Sequence, residues 1–428
     1  MRLKLTLSAA FAALTMGATA QTADSVDMGT GYQNDVYYSF ENREVKKSQN
    51  NTWDLGFRTG FRTDGIFINS ISNANPGQGR SVRLFLYPNA GISGWAAFDT
   101  AGWMGWTEYQ NSDTSWEYGA FNRASLGHPD YSWGVYDQAT HIINGDSIYM
   151  LEITSGATKT YKKLYIVNKD LGKWKFRTAN VDGTDDHTDS VMASNANAKL
   201  LDYYDVVNKT WINREPDSLK DWDLVWTRYH EWLFNQYLPV MGVLSNKDVL
   251  VAQVKPVNTA TFDFTTLTAG DYKYEKNIIG SDWKQFDPIT FSWSIEDSTL
   301  YFVKTRNGAI WKMEFTGFTP SGNRISYFNK TKMTPAMSAN PVATVKTFGV
   351  FPNPASSNIS LVFENADNSV SSTLKIFDLT GKMIESHNLE SAPGFYANSL
   401  DIAHLPTGVY VVTLENGGYS LSQKLVKQ

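Results

Sequence analysis

The side chain with the widest choice of chemistry in this 428-residue chain is His230. It follows Trp226-Thr227-Arg228-Tyr229 and precedes Trp232, Phe234, Tyr237 and Met241. An imidazole, a thioether and aromatic faces are what an iron porphyrin recruits, because its axial ligands are His, Met or Tyr in an apolar pocket. His230, Met241, Tyr237 and Trp232 are therefore the candidate ligand-binding residues, with haem the cofactor they would suit. The plainer reading, which these residue types favour, has Met241 filling the core and His230 in solvent beside a hairpin. The other histidines offer less. His387 and His404 lie near the C-terminus, His187 in an acidic stretch, His128 before Pro129 in a loop, and His141 among apolar residues.

Carboxylates form two patterns. Asp54 and Asp223 each follow a Trp. Paired carboxylates can hydrolyse glycosides, but one aspartate per repeat after a Trp suits a structural hydrogen bond better. Asp182, Asp185, Asp186 and Asp189 could supply oxygens to calcium. They lack EF-hand spacing and a closing Glu, so a solvated acidic loop accounts for them; no metal ligand is assigned. Trp95, Trp103, Trp106 and Trp116 sit in a Gly-rich stretch, where they either stack on a sugar or porphyrin or form a core. There is no Gly-x-Ser-x-Gly elbow, His-Glu-x-x-His pair or phosphate-binding loop, and the chain is read as no enzyme.

Composition narrows the field. The chain has no cysteine, which excludes disulfides, thiolate metal sites, Cys nucleophiles and iron–sulfur clusters. A net charge of −5 and no basic patch argue against a nucleic-acid partner. Aromatic residues make up 14% of the chain and favour pleated surfaces. Few stretches carry helical periodicity, so the fold class expected is all-β.

The elements that would position these residues come in duplicate. Val36-Tyr37-Tyr38, then Trp53-Asp54-Leu55, then Gly65-Ile66-Phe67-Ile68-Asn69 form the first set. Asp202-Tyr203-Tyr204, then Trp222-Asp223-Leu224, then Gly242-Val243-Leu244-Ser245-Asn246 form the second. Downstream, a strand through Tyr149, a Gly156 turn and Tyr161-Lys162-Lys163-Leu164 match a strand through Tyr301, Gly308 and Trp311-Lys312-Met313-Glu314-Phe315. Trp133 and Trp293 precede the respective hairpins. A two-copy array is the simplest account. The expected domains are 30–180 and 200–332, with a polar linker at 181–199 and a Pro-containing tether at 333–347. Trp to Asn spans 16 positions in the first copy and 24 in the second, and the extra eight fall in a loop around His230.

The second copy resembles HmuY-like proteins through Trp222-Asp223-Leu224-Val225-Trp226-Thr227-Arg228-Tyr229, Val240–Asn246 and the 300–315 hairpin; the first copy does so more weakly. That resemblance implies tandem all-β domains and makes haem the leading ligand. It does not fix the haem ligands, since no motif here matches theirs. Residues 348–428 resemble the type IX secretion C-terminal sorting domain of Bacteroidetes-type bacteria, type A. The matching motifs are Pro352-Asn353-Pro354-Ala355, Asp378-Leu379-Thr380-Gly381-Lys382, Leu405-Pro406-Thr407-Gly408-Val409-Tyr410 and a basic end through Lys424. The resemblance implies an immunoglobulin-like β-sandwich and the type IX machinery as partner. Alternation through Leu374, Ile376 and Asp378 independently suggests a half-buried strand.

At the other end, Arg2 and Lys4, an apolar run over 5–16 and Ala18-Thr19-Ala20 read as a signal peptide over 1–20, cleaved between Ala20 and Gln21. No stretch is long and apolar enough for a transmembrane helix. The expected protein is secreted or held on the outer cell surface, its leader and sorting domain removed, and binds a ligand. Haem leads, a surface protein recognising glycan is the alternative, and a hydrolase ranks last.

Overall fold

The computed structural model describes residues 21–60, 63–75, 77–89, 91–170, 172–192, 198–333, 345–365, 372–378, 382–389, 394–416 and 419–428. It is all-β, with 3-10 turns of three or four residues its only helical elements among the described residues. The leader expected over 1–20, including Ala20, lies outside the described residues, as does Gly381; Gln21 stands immediately before the first strand. Two compact units are present, a large body ending at Met333 and a C-terminal unit.

The duplication is present in the body, and each copy contributes nine matching strands. In the first they are β1 (Thr22–Asp27), β2 (Asn34–Ser39), β3 (Arg43–Gln49), β4 (Leu55–Arg58), β5 (Ile66–Ile68), β6 (Arg80–Leu86), β7 (Tyr149–Ser155), β8 (Thr158–Asp170) and β9 (Lys173–Asn180). In the second they are β10 (His187–Met192), β11 (Leu201–Asp205), β12 (Thr210–Ile212), β13 (Leu224–Leu233), β14 (Gln236–Ser245), β15 (Leu250–Val254), β16 (Leu300–Lys304), β17 (Ile310–Phe318) and β18 (Ile325–Lys332).

The copies are not laid end to end. They exchange strands. One inner sheet runs β12-β11-β4-β5 and the other β14-β13-β2-β3, so each Tyr-Tyr strand pairs with the Trp-Asp-Leu strand of the opposite copy. The register is the same in both: Leu224 faces Tyr38, and Leu55 faces Tyr204. One outer sheet is β10-β9-β8-β7-β6 with Glu108–Tyr109 at its edge; the other is β1-β18-β17-β16-β15. The residues expected to form a linker at 181–199 thus include a sheet strand, β10, which pairs with β9. The sequence divides there, but the fold does not.

Each sheet buries a face against the next. Leu55, Phe57, Ile66, Ile68 and Tyr204 of one inner sheet share a core with Val82, Leu84, Leu151, Ile166 and Phe176 of its outer sheet. Tyr38 and Trp226 of the other inner sheet meet Phe328 of the second outer sheet, ring centroids 5.5 Å apart. Between the inner sheets lie Tyr37, Phe67, Leu201, Tyr203, Trp222, Val225 and Leu244, drawn from both copies. The result is four stacked layers whose middle seam is built from matching residues. The aromatic strand residues supply this seam because a pleated, doubly covered surface rewards wide flat side chains.

The C-terminal unit is a sandwich of two antiparallel sheets. Its strands are β19 (Val345–Phe351), β20 (Asn358–Asn365), β21 (Ser372–Asp378), β22 (Met383–Leu389), β23 (Gly394–Asp401), β24 (Gly408–Asn416) and β25 (Tyr419–Lys427). One sheet is β19-β20-β23, the other β22-β21-β24-β25. Leu374 and Ile376 point into the shared core with Ile359, Leu361, Val412 and Leu425, as their alternation requires.

Candidate functional site

Asp54 and Asp223 are the braces of the strand exchange. The Asp54 amide donates to the Tyr204 carbonyl at 2.9 Å and that of Asp223 to Tyr38 at 2.7 Å. Their carboxylates accept, at 2.8 Å each, the backbone N–H of Val206 and of Phe40. Asn69 and Asn246 close each brace, bonding the Trp53 and Trp222 carbonyls at 2.9 and 2.8 Å. The two sites differ in charge. Arg80 bridges Asp54 and Asp205 at 2.6 and 2.8 Å. Asp223 has no cation bonded to it among the described residues, and burial pushes its carboxyl up to about 6 against the opposing bonds from Phe40 and Ser39.

Inside the seam is a chamber of about 80 Å³, walled by Tyr37, Trp53, Trp116, Tyr203, Trp222 and Lys276. Asp35 and Arg214 face it as an ion pair of 2.6 Å, and Asp35 also accepts the Thr227 hydroxyl at 2.8 Å. Glu215 accepts the Leu200 amide and the Tyr203 hydroxyl, each at 2.6 Å. Lys276 is 4% exposed. Its ammonium lies 4.1 Å from the Trp116 ring centre and 5.4 Å from that of Phe67, and burial pushes it down to about 7.

Outside the chamber an open cleft of about 550 Å³ runs along Ser70–Arg83 to Glu108, Gln110 and Thr154. Ser70, Ile71, Arg228 and His230 line both spaces. The charges on its outer wall are already paired: Arg83 with Glu108 at 2.5 Å, Arg80 with its two aspartates. Two polar atoms on the wall have no partner, His230 Nδ1 and Gln110 Oε1. Burial, then the neighbouring Arg228, holds His230 below the usual imidazole range.

The four candidate binding residues do not gather round one space. The extra eight residues form no loop; they lengthen β13 and β14 into a hairpin closed by Phe234-Asn235, both with positive φ, the geometry of a two-residue type I′ turn. Trp232 and Tyr237 face each other across its tip at 4.9 Å, and the Tyr237 hydroxyl accepts from Arg123 at 2.9 Å. Met241 stands opposite Arg228 and is buried, so a strand position has claimed it for packing. His230 alone of the four reaches the cleft.

Other expectations resolve likewise. Trp95 packs on Tyr165, Trp103 on Phe85 and Tyr161, and Trp106 on Tyr87, so these rings serve packing. Asp185 pairs with Lys162 and Lys209, and Asp186 with Arg177. Trp133 matches Trp283 rather than Trp293: both are fully buried, and each begins a Trp-x-x-aromatic-Asp hairpin, Trp133–Asp137 and Trp283–Asp287. Two further sequence signals mark matching elements. One is that pentad. The other is Asp24-Ser25-Val26 against Asp189-Ser190-Val191, which marks the lead strands β1 and β10. The chamber's Arg214, Glu215 and Lys276 carry no motif; only the fold brings them together.

In the C-terminal unit the Pro352-Asn353-Pro354 turn is tied to the last strand. Asn353 accepts the Val426 amide at 2.9 Å and donates to the Lys424 carbonyl at 2.5 Å. Ala355 completes the latch, its amide 2.9 Å from the Val426 carbonyl. Tyr410, two residues after Gly408 opens its strand, donates to the Pro406 carbonyl at 2.8 Å. Lys382 closes the β21–β22 turn, its amide donating to Asp378 at 3.1 Å. Residues 349–428 match the family described as "Secretion system C-terminal sorting domain".

They are a type IX sorting domain.

The sorting domain directs export through the type IX machinery, to the cell surface or beyond. No helix among the described residues is long and apolar enough to cross a membrane. A search of curated proteins finds no match for the chain. Among solved structures it is similar to dimeric latent PorU from Porphyromonas gingivalis, at 9% identity and a TM-score of 0.18 over 92% of this chain. The chain spans 33% of that protein's length, and a likeness of this degree carries no argument.

Proposed function

We propose that the body is a non-enzymatic binding module delivered to the cell exterior by its sorting domain, and that the cleft beside His230 holds a saccharide. The supporting observation is the state of the cleft's polar groups. Its outer charges are satisfied within the protein. What it offers a ligand is mainly neutral: the side-chain amides of Asn73 and Gln110 and the Ser70 hydroxyl, with Gln110 Oε1 and His230 Nδ1 unpartnered, beside Arg228, which meets no carboxylate among the described residues. Such groups pair with ligand hydroxyls, and a free buried acceptor gains most from a partner. Glycan-array binding by the purified chain should fall at least tenfold in Gln110→Ala. A blank array, or binding indifferent to Gln110 and His230, would refute this reading.

Haem is the second reading. It draws on the HmuY-like resemblance and on His230, whose buried Nδ1 has no partner and whose residue lines the cleft. Titration with haemin should then give a Soret shift that His230→Ala abolishes. No shift, or equal shifts in both proteins, excludes it.

A further inference from the structure

We propose that the inner chamber is a carboxylate site, in which Lys276 receives the acid group of a small organic ligand. The argument rests on which charges in the seam are unanswered. Both carboxylates lining the chamber are committed, Asp35 to Arg214 and Thr227, and Glu215 to the Leu200 amide and Tyr203. Asp113, a further carboxylate near Lys276, accepts the Trp232 amide at 3.0 Å. The lysine is not committed. Lys276 Nζ has no hydrogen bond or ion pair among the described residues and rests on the Trp116 and Phe67 rings. Arg228 donates to the Ser72 carbonyl and meets no carboxylate among the described residues. Arg214 Nε, on the same wall, is also unpartnered.

A buried ammonium without a counter-ion is costly, and a carboxylate that accepts from it removes that cost through a charge-assisted hydrogen bond. The size agrees. A water needs roughly 10–15 Å³ of such space, so about 80 Å³ admits a group like acetate and excludes a porphyrin. Two sources carry this chemistry: a free short-chain acid, or the carboxylate of an acidic sugar lying in the cleft, which shares Arg228 and His230 with the chamber.

The test is a melting series on the full chain, followed by tryptophan emission, in sodium acetate, sodium glucuronate, glucose and sodium chloride at matched ionic strength. A saturable rise in Tm of several degrees is expected with a carboxylate, and Lys276→Met should weaken it at least tenfold in midpoint concentration. A rise with acetate assigns the free acid; a rise with glucuronate alone assigns the acidic sugar; either supports the site. No carboxylate response, or an undiminished one in Lys276→Met, overturns it. Where acetate gives no rise, a glucuronate response no larger than the glucose response also overturns it while leaving the saccharide cleft standing. Lys276→Gln serves as the second variant if Lys276→Met melts abnormally low without ligand.

Discussion

The two braces occupy matching positions yet should respond to the same substitution with opposite signs. Asp223 titrates at about 6 in the fold, against 3.8 for a free side chain. A carboxyl whose folded pKa is raised contributes most below its unfolded pKa. That contribution is lost as pH climbs from about 4 to about 6. Some two units at 1.36 kcal/mol each amount to about 3 kcal/mol of stability missing at neutral pH. Asp223→Asn removes the titration and keeps an oxygen to accept the Phe40 amide, losing at most about 1 kcal/mol of hydrogen bonding. The variant should gain about 1–2 kcal/mol at pH 8 and gain nothing at pH 4. Asp54→Asn instead leaves Arg80 half-answered in a buried site and should cost about 3–5 kcal/mol at pH 8. Urea unfolding followed by tryptophan emission measures both. Every tryptophan lies between Trp53 and Trp311, so the signal comes from the body alone even in the full chain. Equal losses in the two variants at pH 8 would refute the assignment of charge to the two braces.

Other outcomes follow from the same geometry. Lys169, Lys276 and Lys284 are each held near 7 by burial, below their unfolded value, so stability should climb between about pH 7 and 10 as the unfolded chain alone keeps their protons. In Lys284→Met, urea midpoints over that range should rise less steeply. Gly145→Ala places a Cβ 1.6 Å from the Ile166 carbonyl oxygen, and the body should lose more than about 3 kcal/mol or fail to fold, read by circular dichroism. Phe234→Ser, at the exposed hairpin tip, should leave the urea midpoint within about 0.5 kcal/mol of wild type. Asn353→Ala removes both latch bonds to the last strand and should lower delivery to the cell surface, measured by fractionation and immunoblot.

Most of the strands were legible. The Tyr-Tyr segments are strands, strands begin at the Leu of each Trp-Asp-Leu, and both come twice. Partnership was not legible. The apolar run Val36–Tyr38 marks a strand covered on both faces, but nothing in it says that the neighbour is Leu224–Trp226 rather than Leu55–Phe57, since both offer the same chemistry at the same register. The hairpin carrying His230 misled for a related reason. Eight extra residues look like a loop when counted, and become strand when each can pair across a two-residue turn. The chamber was invisible because Asp35, Arg214 and Lys276 lie far apart in sequence and meet only at the seam.

The exchange also orders events in time. β1 lies at the start of the body and its partner β18 at the very end, Thr22 opposite Lys330. The second outer sheet therefore cannot close until about three hundred residues have emerged, and pairings of such long range form slowly. Until then Asp24 lacks Lys330, and the inner sheet that carries Tyr38 and Trp226 lacks Phe328 of its outer cover. The sorting domain follows directly behind that last strand, so the segment that addresses the protein is synthesised just after the segment that completes it.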